Sequence, residues 1–381
     1  MEGPERMTGQ VGKVKNPEDI AVVGAGIGGL CTAARLAKAG HRVTIFEASN
    51  RTGGKCRTEW IDRYAFDTGP SLLTLPAVYR DFFQRTGDVM GRVLELEEVN
   101  PSFDYRFHDG TSVKFANLSR KKTLSSIQES LGIEAAAEWD SILKQGEMLW
   151  DRIRENYVEW EFSFTRFNPD TYLRLRAPFV RNPYLNKILS HYATYFGYPA
   201  GLYKWSHIVA FIEESFGVWQ IEGGLETLTA AIKQRALDCG ATIGESSAFD
   251  FYIDATELHS TPPQRLIGIA NYPHELPIRM VLFHKDGLTT DIYSTRIDSG
   301  KYSLVLTGKL DIDNFNNFAE VDQIRAGFEG DADNQVITKI RTANKRKFKV
   351  RHIDSLAHAG ITGELLANAV RGIKNRPSHE H

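Results

Sequence analysis

"IAVVGAGIGGLCTAARLAKAGHRVTIFEAS", residues 20–49, opens on a short apolar run, turns through Gly24, Gly26 and Gly29, and closes on a second apolar run that ends at Glu47. Its periodicity predicts a strand from Ile20 to Val23, a helix from about Ile27 to Ala39 and a strand from Val43 to Phe46, which together make a βαβ unit. Leu30, Ala33, Ala34 and Ala37 recur at helical spacing and are expected to face a sheet. Gly40 stands where a left-handed residue ends a helix.

In such a unit Gly24 turns the chain sharply, Gly26 lets the backbone approach a pyrophosphate, and Gly29 lets the helix pack closely on the strand. The helix start offers free N–H donors and the positive end of a dipole, worth roughly 0.3–2 kcal/mol per nearby negative charge. Glu47 follows Gly24 at the spacing, roughly 20 residues, at which a carboxylate meets ribose hydroxyls. A carboxylate there repels a 2′-phosphate, so the loop points to FAD or NAD rather than NADP. The plainer alternative is a packed glycine turn that holds no ligand.

The continuation "EASNRTGGKCRTEWIDRYAFDTGPSLLTLP", residues 47–76, carries E-x-x-x-R-x-G-G-K followed by D-x-G-P-S. This pattern resembles the phytoene desaturase and carotenoid-type FAD-dependent oxidoreductases, within the superfamily that includes the flavin amine oxidases and protoporphyrinogen oxidase. The resemblance implies a cofactor set of Gly24, Ala25, Gly26, Ile27, Gly28, Gly29, Glu47, Ala48, Gly53, Gly54, Lys55, Gly69, Pro70 and Ser71. Lys55 would set a cation on the pyrophosphate, and the turn from Asp67 to Ser71 would pass beside the flavin ring. Read without the resemblance, Asp-Thr-Gly-Pro is an ordinary turn.

Further matches follow along the chain. "HYATYFGYPAGLYKWSHIVAFIEESFGVWQIEGGLETL", 191–228, resembles a helix lining the substrate site, a Gly-Val-Trp strand and a Gly-Gly turn into the next helix. "FDFYIDATELHSTP", 249–262, looks like the strand returning under the nucleotide. "DSLAHAGITGELLANAV", 354–370, resembles the C-terminal cofactor motif, which would place Asp354 near the ribityl chain. The chain is shorter than full members of the group, with compression between Gly240 and Phe249 and across 264–350. "KRKFKVRHIDS" also replaces an apolar approach to the last motif, and its Lys345, Arg346, Lys347, Lys349 and Arg351 read as a poor buried strand.

The expected fold class is therefore α/β, a Rossmann-like FAD-binding domain with an α+β substrate domain. The FAD-binding domain is expected over 17–115, 220–262 and 350–375, the substrate domain over 116–219 and 263–349, and flexible termini at 1–16 and 376–381. With 42% hydrophobic residues in 381 the chain can bury a sizeable core, and its net charge of −2 argues against a nucleic-acid partner. Neither a secretory leader nor an apolar run of the ~18 residues that span a bilayer is visible, and Cys31, Cys56 and Cys239 fit neither a disulfide framework nor a metal site. A cytoplasmic protein is expected.

Aromatic side chains crowd the stretch from Trp150 to Trp219, either as the wall of a hydrophobic small-molecule site or as plain core. "TYLRLRAPFVRNPYLNKIL", 171–189, mixes cations with apolar residues; its prolines favour a solvated segment and leave peripheral membrane contact open. His191, Tyr192, Tyr195, His207 and Glu213 are the acid–base groups near this wall. No spacing among them forms a triad, so none is nominated as catalytic. The expected function is FAD-dependent dehydrogenation of an isoprenoid or lipid-like substrate, with oxygen or a quinone reoxidising the flavin. The alternatives are an amine- or porphyrinogen-oxidising relative, and a shortened non-catalytic homologue that binds a nucleotide or a lipid.

Overall fold

The computed structural model describes residues 16–61, 64–67, 69–153, 180–194, 204–244, 248–254, 265–271, 274–308, 324–326 and 341–349. Its first elements are β1 (Asp19–Val23), α1 (Ile27–Ala39) and β2 (Arg42–Phe46), the βαβ unit that the periodicity predicts. Gly40 ends α1 in the left-handed region at φ 102°, with its N–H donated to Ala37 O at 2.9 Å. Next come β3 (Thr58–Ile61), β4 (Tyr64–Asp67), β5 (Leu73–Thr74), α2 (Ala77–Thr86), β6 (Leu96–Glu98), β7 (Phe103–Phe107) and β8 (Ser112–Phe115). Helices α3 (Arg120–Leu131), α4 (Ile133–Ile153), α5 (Pro183–Thr194) and α6 (Lys204–Phe216) precede β9 (Val218–Ile221) and α7 (Leu225–Asp238). The last strands are β10 (Thr242–Ile243), β11 (Ala248–Asp254), β12 (Arg265–Asn271), β13 (Arg279–Phe283), β14 (Thr289–Asp298), β15 (Lys301–Gly308), β16 (Ile324–Ala326) and β17 (Arg341–Lys349).

Two main sheets organise these elements. The first is parallel, in the order β10-β2-β1-β11-β17, and β11 does return beside β1, with Phe251 opposite Ile20. Leu30, Ala33 and Ala34 of α1 share one buried core with Ile20, Val22 and Ile45 of the sheet and with Phe82, Phe83, Leu228 and Ile232 of α2 and α7. The lysine-rich run expected to make a poor buried strand forms β17, the outermost described strand, parallel to β11. An outer strand is paired along one edge only and tolerates charge that a central strand would not.

The second sheet runs β16-β12-β15-β14-β13-β7-β8. Its β7–β8 hairpin falls inside the 17–115 stretch assigned above to the cofactor domain, yet β7 pairs in parallel with β13, Asp104 opposite Met280. One face of this end of the sheet, Phe103, Tyr105, Phe107, Val281 and Phe283, packs on Trp139, Ile142, Leu185, Ile188 and Tyr192 of the helices. Helix α5 starts at the second proline of the 171–189 stretch, and the first, Pro178, lies outside the described residues. Pro183 occupies the first turn, where no N–H is needed, and Asn182 Oδ1 accepts the amides of Tyr184 and Leu185 at 3.0 and 3.1 Å.

Helices α4 and α6 touch through Gly146, where an added Cβ would lie 2.2 Å from His207 O and 2.7 Å from Phe211 Cβ. Forcing a methyl against a backbone carbonyl costs typically about 1–3 kcal/mol. Gly146→Ala is therefore expected to lower the thermal midpoint while leaving the first sheet's contacts in place, and a calorimetric scan beside the wild type reads this out.

Candidate cofactor site

The glycine turn is held from both sides. Gly24, at φ 100°, donates to Phe46 O at 2.7 Å, and the second glycine pair is docked on the loop by Gly53 N–H to Ala25 O at 2.8 Å and a Gly26–Gly53 bridge. A Cβ on Gly54 would lie 3.0 Å from Gly26 Cα, so this contact needs glycine. Gly26 is the N-cap of α1, which leaves the first turn with no side-chain cap and no acidic residue. Donors without a side-chain cap at a helix start suit an anion.

Glu47 sits beside this turn. Its Oε2 accepts the Ala25 amide at 2.7 Å and its Oε1 the Ser49 amide and hydroxyl at 3.0 Å each. The carboxylate, the α1 start and the Gly53–Gly54 backbone are thus brought together, a donor and acceptor set that fits the ribose and pyrophosphate of a dinucleotide. Ala48 and Lys55 are exposed, while Ala25, Ile27, Gly28 and Gly29 are buried or nearly so. Gly69, Pro70 and Ser71 are half-buried. Gly69 passes so close to Lys55 that a Cβ would lie 1.7 Å from Lys55 O, which draws the second motif onto the first. Asp354 lies outside the described residues.

A polar frame that the sequence reading left without roles supports the turn. Arg51 bridges Glu59 and Glu226, each at 3.1 Å, and donates to Thr58 O at 3.1 Å, while Glu226 also accepts the Thr58 amide at 2.9 Å. Arg57 donates to Gly54 O at 2.8 Å. Asp67 is buried; it accepts Thr58 Oγ1 at 2.6 Å and the Leu225 amide at 3.2 Å, so it caps α7. Burial pushes its carboxyl up, against the pull of these two hydrogen bonds. The Arg51 of the E-x-x-x-R motif was the available signal for this frame, but its partners are far off in the chain.

A second polar group lies between the helices and the second sheet. His191 is buried, with Nε2 2.8 Å from Asp291 Oδ1 and Nδ1 3.3 Å from Thr289 Oγ1. Tyr192 donates to Glu213, Tyr105 and Tyr192 hydroxyls are 3.0 Å apart, and Arg279 Nη1 is 3.5 Å from Glu213 Oε1. The fold therefore gathers His191, Tyr192 and Glu213 of the acid–base candidates. It leaves His207 apart, buried with both ring nitrogens unpartnered, and burial drops its value to about 4. Tyr195 lies outside the described residues. Of the aromatic stretch, Trp150 and Trp205 form one buried cluster with Ile208, and Tyr192 belongs to the helix–sheet core.

Glu214 gives a pH prediction. Burial raises its carboxyl from 4.5 to about 7, although Thr123 donates to it at 3.3 Å. A raised carboxyl contributes stability that is fully present below its ordinary value of 4.5 and is lost as the pH climbs through about 7. Glu214→Gln should therefore melt higher than wild type at pH ~8, by on the order of 1–2 kcal/mol after screening, and near wild type at pH ~4.5. Paired melts at the two pH values check this.

Among the described residues no group of three or more His, Cys, Asp or Glu could hold a metal, and no helix is long and apolar enough to cross a membrane. The cysteines are free, and burial raises Cys31 and Cys56 to about 12.

Residues 22–86 match the NAD(P)-binding Rossmann-like domain family. The chain is similar to 4,4′-diaponeurosporene oxygenase of Staphylococcus aureus (strain USA300), 24% identical over 249 residues, which is 61% of this chain and 49% of that protein. It thus spans about half the length of the curated relatives it matches. Among solved structures it is similar to a putrescine oxidase redesigned for cofactor binding (TM-score 0.58, 14% identity, 94% of this chain and 99% of that one). Cyclohexylamine oxidase from Brevibacterium oxydans matches at TM-score 0.56 and 13% identity, with the same coverage of both chains. A CLA-producing fatty acid isomerase from P. acnes matches at 0.55 and 11%, again over 94% and 99% of the two chains. These likenesses bear out the expected fold class and the resemblance stated from the motifs.

Proposed function

We propose that this chain, which has the fold of the flavin amine oxidases, is an FAD-dependent oxidoreductase that dehydrogenates an apolar, isoprenoid or lipid-like substrate. The observation that carries the reading is the convergence of Glu47, the α1 start and the Gly26–Gly54 contact on one turn. Glu47 would take the ribose hydroxyls, and the amides of Ile27, Gly28 and Gly29 would hold the pyrophosphate with Lys55 adding charge. Gly69, Pro70 and Ser71 would bring their backbone to the ring, as the D-x-G-P-S resemblance implies. Bound FAD supplies the acceptor for a hydride, and the protein orients the reacting carbon and excludes water. The diaponeurosporene oxygenase among the sequence relatives supports an apolar substrate over an amine.

The test is the visible spectrum of the purified full chain with its released cofactor quantified. Flavin bands near one FAD per chain, bleached anaerobically by 4,4′-diaponeurosporene in vesicles, are expected. A colourless protein that FAD cannot reconstitute overturns the reading.

A further inference from the structure

Dehydrogenation removes a hydride and a proton, and the flavin site accounts for the first only. The second sheet carries a candidate for the other. Arg279 of β13 stands opposite Tyr293 of β14 in the register, so both project from one face, as do Val281 opposite Asp291 and Phe283 opposite Thr289. Tyr293 accepts Gln220 Nε2 at 2.9 Å and feels the charge of Asp67. Gln220 follows Trp219, which pairs with Leu73, two residues beyond Ser71. A line of neighbours, joined by strand pairing, one hydrogen bond, register and an ion pair, therefore leads from Leu73 beside the turn through Gln220 and Tyr293 to Arg279 and Glu213.

Glu213 is the anomaly on this line. Its side chain is only 11% exposed, one oxygen faces Arg279, and the other, Oε2, is buried with no hydrogen-bond partner. Leaving a buried carboxylate oxygen unsatisfied costs more than a typical hydrogen bond is worth, and such costs collect where a group has work to do.

Resting on the oxidoreductase reading above, we propose that Glu213 Oε2 is the proton acceptor of the reaction, with Arg279 and Tyr192 as the residues that position it. Bound flavin would take the electron pair of one substrate C–H bond as a hydride. The adjacent C–H bond breaks with its pair forming the C=C bond, and that proton goes to Glu213. The groups facing Glu213 are Arg279 from β13 and Tyr192 and His191 from α5; Tyr105 of β7 and Asp291 of β14 stand behind them, and Glu214 on its own helix turns away to Thr123. Burial raises the Glu213 carboxyl against the opposing pull of Arg279, Tyr192 and His191, so it accepts a proton more readily than an exposed glutamate.

The experiment compares FAD-loaded wild type and Glu213→Gln by anaerobic flavin reduction with 4,4′-diaponeurosporene in phosphatidylcholine vesicles across pH, and by infrared titration of the carboxylic-acid band. Expected are equal flavin content, a rate lower in Glu213→Gln by about 10²–10⁴-fold and flat with pH, and loss of an acid band that titrates above the ordinary carboxylate range. A role confined to clamping α6 onto β13 would lower the melting point and leave the pH profile unmoved, which overturns the proposal. So does the absence of a Glu213-dependent band, or reduction of Glu213→Gln at the wild-type rate. Should Glu213→Gln fail to fold, Glu213→Asp decides: a shifted pH profile supports the proposal and an unchanged one refutes it. Wild type that binds flavin but is not bleached counts against the substrate class alone, and the infrared band then decides on Glu213.

Discussion

Gly69→Ala should fail to accumulate as a folded, flavin-binding protein. The added Cβ would lie 1.7 Å from Lys55 O, 2.8 Å from Lys55 C and 3.3 Å from Cys56 Cα, all of them backbone atoms that cannot swing aside. Relief requires moving the Gly53–Lys55 turn, which is fixed to the glycine loop by the Gly53 amide on Ala25 O at 2.8 Å and by the Gly26–Gly53 bridge. The clash would thus be passed to the nucleotide turn itself. Overpacking a core costs about 1–3 kcal/mol when side chains can yield, and a backbone-on-backbone clash belongs to the exceptional class above about 4 kcal/mol. Urea unfolding and flavin content measure both consequences. Gly91→Ala is the control, since a Cβ there meets nothing within 4 Å, and wild-type behaviour of both variants would show the turn to be far more pliable than its packing implies.

The βαβ unit was legible because every signal in it is local. The apolar periods, the glycine turn and the Gly40 stop all lie within one stretch, and the structure sets β1, α1 and β2 within a residue of the expected bounds. The frame behind the turn was not legible, because its bonds join residues far apart: Arg51 to Glu226 across 175 positions, and Asp67 to Leu225 across 158. Asp67 shows what a motif leaves unsaid. The D-x-G-P-S resemblance places it in a turn, and the structure adds that its carboxylate holds Thr58 and the first turn of α7. Register explains the rest. Nothing in the sequence sets β7 beside β13 across 104 and 280, yet that parallel pairing moves the β7–β8 hairpin into the second sheet. It also places Tyr105 against Tyr192, beside Glu213.

Glu47→Ala should cost FAD affinity by about 10–150-fold, the equivalent of the ~1.5–3 kcal/mol of a hydrogen bond to a charged group. Two losses combine in that number. The ribose would lose its acceptor, and the Ala25 amide, now held by Oε2 at 2.7 Å, would lose the partner that fixes the turn between Gly24 and Gly26. Glu47→Gln separates them. The amide oxygen can still accept from Ala25, so the turn keeps its shape, while the ribose contact drops from a charge-assisted to a neutral hydrogen bond, roughly half as strong. The expected order of affinities is wild type, then Glu47→Gln, then Glu47→Ala, read by flavin fluorescence titration of the stripped protein. Ser49 offers an internal check, because its amide and hydroxyl reach the other oxygen, Oε1, at 3.0 Å, on the side away from the glycine turn. Ser49→Ala should therefore leave FAD affinity close to wild type. If it weakened binding as much as Glu47→Ala, the carboxylate would be acting through the 49–51 turn and not on the ribose.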